Sequence, residues 1–287
     1  AAGALILLLS AVIIFYFRSR AKRVLPPEPV EDPAPVADPA TGQPPQSNAV
    51  YILGEFTVYD KNGKDITFQF SPKLKQLFIL ILLYSKGRSE GITSKKISVT
   101  LWPDKDVIKT KNIRGVNLNH LRSILSDMQG IELIYHNDTY RFEFSGSFFC
   151  DCFAVLDVLK APLRNEETVM DHFGLIARGP LLYFMPEVWL DDFKEEYAGA
   201  LLPTLLPIIK TAYDTGAFKR VNEITRVVLN IDPFNDTAIA YKLKAVRRTK
   251  GIEHARRLYD DFAAEYRRSL GIAYAMPFEK ICSNKEN

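Results

Sequence analysis

Between residues 24 and 48 the chain (VLPPEPVEDPAPVADPATGQPPQSN) places eight of its 17 prolines, and no packed element can run through them. Each proline fixes φ and lacks an N–H, so neither a helix nor a sheet ladder propagates there. The stretch favours extended polyproline II, a semi-rigid spacer that reaches about 75 Å at ~3.1 Å per residue. Its only charges are acidic: Glu28, Glu31, Asp32 and Asp38. A plain disordered linker would have nearly the same consequence. Folded structure must therefore lie on either side of it.

On the near side, residues 1–17 (AAGALILLLSAVIIFYF) carry no charge. As a helix they span about 26 Å, the short end of what crosses a ~30 Å hydrocarbon core. Phe15, Tyr16 and Phe17 stand where an interfacial aromatic belt would be, and Arg18, Arg20, Lys22 and Arg23 follow at once. Cations directly after an apolar run act as a stop-transfer signal and place that side in the cytoplasm. A cleaved signal peptide would carry its cations before the apolar core instead. The expectation is a transmembrane helix over residues 1–17 and a basic stop-transfer segment with linker over 18–48. Residues 18–287 are then cytoplasmic, tethered by a single pass in a bacterial inner membrane. Because the chain opens on Ala rather than Met, it is expected to be a piece of something longer.

On the far side the composition, 47% hydrophobic and 25% charged over the whole chain, is that of folded protein. There is room for two ordinary domains. Cys150 and Cys152 are spaced C-x-C and Cys282 stands alone, so neither a disulfide framework nor a paired zinc pattern is offered. His120, His136, His172 and His254 are scattered, and the sequence holds no G-x-x-x-x-G-K-[ST], G-x-G-x-x-G, G-x-S-x-G or H-E-x-x-H. No catalytic site, metal site or cofactor is expected, and an enzyme is the poorer reading.

Residues 49–145 alternate first as a strand, with Val50, Ile52, Phe56 and Val58 on one face. Asn62-Gly63 signals a hairpin, with Ile66, Phe68 and Phe70 alternating on its far side. Ser71-Pro72 supplies an N-cap and an N1 proline for a helix whose centre, residues 77–84 (LFILILLY), is apolar all round and too short to span a membrane. Thr93 can cap a second helix through Ile97 and Leu101, ended by Pro103; a third is expected from about Asn112 to Met128. Residues 131–135 and 140–144 then close a hairpin across 136–139. The order is strands, three helices, hairpin.

Charge follows this order. Residues 49–145 hold 14 Lys and Arg against 10 Asp and Glu, a net +4, whereas 146–287 hold 19 against 20. Within residues 94–123 the balance is seven against two, suited to phosphate neutralisation but equally to a solvated face. The third helix tips that balance. Leu118, Leu121 and Leu125 form one stripe and must face the core. The opposite face collects Asn112, Val116, Asn119, His120 and Ser123, with small Gly115 on its boundary. Amides can bond adenine edges and Val116 can meet a thymine methyl. Lys111, Arg114 and Arg122 are placed to hold phosphate.

Residues 112–125 (NIRGVNLNHLRSIL), with Leu101-Trp102-Pro103-Asp104 and the leading Leu53-Gly54-Glu55-Phe56, resemble an OmpR/PhoB-type winged helix–turn–helix, in the version found in SARP-type transcriptional activators. The resemblance implies that the third helix enters the major groove, with Asn112, Val116, Asn119 and His120 toward the bases and Arg122 on the backbone. The closing hairpin would be the wing. Its Tyr140-Arg141-Phe142 matches the family, but the tip lacks glycine and carries Asp138, which leaves Arg141 as its DNA contact.

Residues 146–287 are helical by pattern, with breakers at Gly179-Pro180, Pro186, Pro203, Pro207, Gly216, Pro233 and Gly251. Gly216 and Gly251 lie 35 residues apart, close to the 34-residue period of tetratricopeptide helix pairs. Gly179-Pro180-Leu181-Leu182, residues 189–193 (WLDDF), residues 232–236 (DPFND) and Leu270-Gly271 resemble the bacterial transcriptional activator domain that follows the winged helix in the same family. Tyr183, Phe184, Trp189 and Phe193 are read as core, and Cys150 and Cys152 as buried thiols. The fold class is thus an α+β winged helix–turn–helix domain followed by an all-α TPR-like helical domain, preceded by a transmembrane helix. The expected function is membrane-anchored, sequence-specific transcription regulation, as the output part of a larger one-component sensor. The expected partners are double-stranded DNA at promoter repeats, the membrane, RNA polymerase and a second copy on DNA. The alternative is a membrane-anchored scaffold that uses both domains to bind proteins.

Overall fold

A computed structural model describes residues 46–87, 90–162 and 165–282. The expected span over residues 1–17, and all but the last three residues of the linker, lie outside them. The placement in a bacterial inner membrane is corrected. Among the described residues no helix is long and apolar enough to cross a membrane.

The first strand of the sequence reading is two. β1 (Ala49–Tyr51) and β2 (Thr57–Tyr59) pair antiparallel, Val50 opposite Val58. Residues 52–56 turn between them; β1 is buried on both faces, residues 49–53 all lying in the core, and the expected alternation survives only across Phe56, Thr57, Val58 and Tyr59. The Asn62-Gly63 turn forms: Asp60 Oδ1 accepts from Asn62 N at 2.8 Å and Lys64 N at 2.9 Å. No strand follows it. The Thr67 hydroxyl takes the Val58 N–H at 2.9 Å, and Thr67–Gln69 coil into a single 3-10 turn. Ile66 and Phe70 are buried, but Phe68, expected beside them, is 77% exposed. The ladder stops after a single antiparallel bridge, Tyr59 opposite Asp65, beyond which a side-chain acceptor takes its place.

α1 (Pro72–Gly87) is buried continuously from Leu77 to Tyr84. Its Phe78 ring meets Phe56, Phe70 and Phe142 at centroid distances of 6.1, 5.3 and 5.4 Å. β3 (Ile92–Thr93) leads into α2 (Ser94–Leu101), capped by Thr93, whose hydroxyl accepts from Lys96 N at 3.1 Å. α3 (Val107–Leu125) follows, then β4 (Ile131–His136) and β5 (Thr139–Phe144). These strands form a second sheet in the order β3-β5-β4. Asn137 and Asp138 both take positive φ, 47° and 60°, the geometry of a two-residue hairpin loop that Asn and Asp tolerate without glycine.

β6 (Phe149–Cys150) then returns to the first sheet, parallel to β1. From it run α4 (Asp151–Leu159), α5 (Glu166–Asp171) and α6 (Phe173–Ile176), followed by α7 (Asp191–Asp214) and α8 (Phe218–Ile231). α9 (Asp236–Lys250), α10 (Ile252–Leu270) and α11 (Phe278–Cys282) complete the order. Gly216 separates α7 from α8, and Gly251 separates α9 from α10, so the 35-residue offset marks two helical hairpins in succession. Pro203 and Pro207 are not breakers, for both sit inside α7. Each removes one backbone bond at a cost of about 3 kcal/mol. The buried face beside them (Leu201, Leu205, Ile208, Ile209) offsets that cost. One continuous apolar core runs from Val50 to Ala245, and a smaller one joins Ile239, Leu243 and Ala255 to Phe278, Ile281 and Cys282.

Candidate nucleic-acid interface

α3 begins five residues before the expected Asn112, because Asp106 caps it: Asp106 Oδ1 accepts from Lys109 N at 2.9 Å. The extra turn puts Val107 and Ile108 on the surface, both strongly exposed, beside Lys109 and Lys111. The sequence reading missed these two apolar residues because it started the helix too late. The only available signal was Asp106 itself, an N-cap type, because Val107, Ile108 and Thr110 after it are β-branched and favour a helix weakly. Asp106→Ala is expected to cost about 1 kcal/mol of stability, read as a lower urea midpoint.

Leu118, Leu121, Ile124 and Leu125 are buried, which fixes how α3 is turned. On its other side Lys111, Asn112, Val116, Asn119, His120, Arg122 and Ser123 are exposed, Val116 to 70%. Gly115 lies among them, half-buried, with open space where a Cβ would stand. Arg122 Nη1 donates to Asn119 Oδ1 at 3.3 Å, which leaves the Asn119 amide N–H groups pointing elsewhere.

Two of the expected phosphate anchors are engaged within the chain. Arg114 is half-buried and its Nη1 donates to the Ser94 carbonyl at 3.0 Å and to the Ser98 hydroxyl, bracing α3 against α2. Arg141 sits on β5, in the closing hairpin where it was expected, and its Nη2 pairs with Glu143 at 2.6 Å. The tip of the hairpin is likewise tied inward: the Asp138 carbonyl accepts from Ser94 N at 2.9 Å. Between α2 and α3 runs a groove of about 340 Å³ whose walls include Lys95, Val99, Lys105, Val107 and Lys111. Cationic and apolar groups alternate along it, next to the exposed face of α3.

In the helical half, Trp189 and Phe193 are half-buried, but Tyr183 and Phe184 are corrected from core to surface, at 58% and 68% exposure. Their neighbours Leu181 and Leu182 take the buried places, with Leu182 bent to φ 47°. Cys150, Cys152 and Cys282 are free and buried, and burial pushes all three thiols up. Among the described residues, no three His, Cys, Asp or Glu side chains come together as a metal site.

No family model matches the chain, and no curated protein does. A solved structure of Mycobacterium tuberculosis EmbR in complex with a low affinity phosphopeptide is similar in fold, with a TM-score of 0.55 and 13% identity. The match covers 82% of this chain and 63% of that one, so this chain spans less than two thirds of EmbR's length. The described residues build a winged helix followed by a helical domain, the architecture shared with that structure.

Proposed function

We propose that the chain is a sequence-specific DNA-binding transcriptional regulator of SARP type, with the winged helix at 49–145 and the helical activator domain at 146–287. α3 lies in the major groove, with Asn112, Val116, Asn119 and His120 toward the bases. Lys111, Arg122 and Ser123 approach the flanking phosphates, and Gly115 allows close approach. The observation that carries this is the two-sided character of α3: a leucine face locked in the core, and an exposed face that is amide-rich, bordered by cations and unencumbered by Cβ at its middle. The sequence resemblance and the fold shared with EmbR support it. Promoter repeats, a second copy on DNA and RNA polymerase at the helical domain complete the proposal.

A second reading, a protein-binding scaffold, draws on the engagement of Arg114 and Arg141 within the chain. The two are separated by selecting fragments of the source genome with the full chain and titrating the binding against salt. The regulator gives a discrete enriched site and a steep salt slope, which Lys111→Ala lowers by about one phosphate contact. The pair Asn119→Ala, His120→Ala is expected to weaken the specific complex about 10- to 100-fold and leave non-specific binding unchanged. Binding without enrichment, or indifferent to the pair, rejects the regulator in favour of the scaffold.

A further inference from the structure

The turn that Asp106 adds to the start of α3 changes the pattern on its outer face. Val107 lines the groove beside α2. Ile108, one residue on, is rotated by about 100° out of that groove and is 76% exposed. It falls in line with three residues of the outward face. Ile108, Asn112, Val116 and Asn119 lie within about 80° of arc and along about 16 Å of helix, and all four are exposed. Each stands about one turn from the next, so the stripe runs apolar, amide, apolar, amide. A single exposed aliphatic needs no explanation. Two of them, alternating with two amides on the side away from the leucine face, call for a partner that matches both. Lys111 and Arg122 border the stripe on one side, Lys109 and His120 on the other, all exposed. Asp106, the acid at its start, is engaged by the Lys109 backbone N–H at 2.9 Å and by the Lys109 ammonium at 3.4 Å. Asn119 Oδ1 keeps a second lone pair beside its bond from Arg122.

We infer that this stripe reads a run of about four consecutive A·T base pairs, with Ile108 as its outermost specificity-determining residue. In the major groove an A·T pair offers the thymine methyl to an aliphatic side chain, and the adenine N6 amino group and N7 to an amide. A G·C pair has no methyl there. The spacing agrees, since a helix in the groove reads about one base per turn. The two aliphatics take methyls and the two amides take adenines, so each pair of the run is selected by its own side chain. This inference rests on the placement of α3 in the major groove proposed above.

The test selects sites for the full chain from a random double-stranded DNA library and then measures binding to the selected site. A half-site with about four successive A·T pairs is expected. Ile108→Ala, a surface change that leaves the core untouched, is expected to relax selection at the outermost pair alone. It is expected to weaken the selected site about five- to tenfold. Uracil in place of the thymine of that pair removes only the methyl. It is expected to weaken the wild type by a similar factor and to leave Ile108→Ala unmoved. A selected site with G·C inside the run, a wild type indifferent to uracil, or unaltered selection by Ile108→Ala overturns the inference. If Asn119 and His120 are still required in that case, α3 remains the reading helix. No selected site at all overturns the inference and the placement of α3 together.

Discussion

Asp151→Ala is expected to lower the free energy of unfolding by about 3–6 kcal/mol at neutral pH, through loss of buried hydrogen bonds. The carboxylate is completely buried at the start of α4. Its Oδ1 accepts from Ile52 N at 2.8 Å and Cys152 N at 2.7 Å, and its Oδ2 from Leu53 N at 3.0 Å. Arg178 Nε stands 3.5 Å from Oδ2. Truncation leaves three buried N–H groups without a partner, each costing about 1–3 kcal/mol. Two of them belong to the segment after β1, so the damage falls on the tie between the winged helix and α4. Urea unfolding reads it as a lower midpoint, and Asp151→Asn, which keeps one acceptor oxygen, is expected to lose about half as much.

The same group gives a pH dependence whose sign is unusual for a hydrogen-bonded carboxylate. Burial pushes Asp151 up from 3.8 to about 6, against the lowering effect of its N–H donors and of Arg178. The folded state then holds a proton that the unfolded state has released between about pH 4 and 6. The stabilisation is fully present below pH 4 and lost as pH rises through about 6. It amounts to about 3 kcal/mol. Measured as wild type minus Asp151→Asn, stability is expected to fall by that amount across the window. A difference that grows with pH would mean that the N–H donors outweigh burial.

What could be read from residues alone divides along a physical line. α1 was legible because a cap, an N1 proline and an all-apolar centre all act within one helix. The cap of α2 and the inward stripe of α3 were legible for the same reason, and so was the outward face of α3, the complement of that stripe. The two helical hairpins followed from the spacing of Gly216 and Gly251. Features set by distant partners were not legible. The expected strand at 66–70 was lost to one hydroxyl, that of Thr67, which satisfies Val58. Pro203 and Pro207 lie within α7 because tertiary burial outweighs the local cost. Arg114 and Arg141 had the charge of phosphate anchors, but only the fold reveals Ser94, Ser98 and Glu143 beside them. β6 and Asp151, about a hundred residues from the strand they complete, carry no local signal at all.

Gly54→Ala is expected to be nearly as damaging as loss of Asp151, at about 3–5 kcal/mol, and it acts on the same junction by a different physical route. Residues 52–54 pair with residues 180–183: Gly54 N donates to the Pro180 carbonyl at 2.9 Å, Leu182 N to Ile52 at 2.8 Å and Tyr183 N to Gly54 at 3.2 Å. Gly54 takes φ +77°, which costs an alanine about 1–2 kcal/mol by itself. An added Cβ would also stand 2.4 Å from the Arg178 carbonyl oxygen, closer than any real contact, and backbone is not free to give way as a side chain is. The control is Gly216→Ala, at φ +75° with no atom within 4 Å of its Cβ position. It carries the conformational cost without the overlap, so its loss is expected to stay within about 1–2 kcal/mol. If the two glycines cost the same, the close approach at Arg178 contributes nothing. If Gly54 costs more by about 2 kcal/mol or beyond, the helical half is seated on the winged helix by backbone contact as well as by shared core. Loosening that seat then changes where α3 stands relative to everything beyond β6.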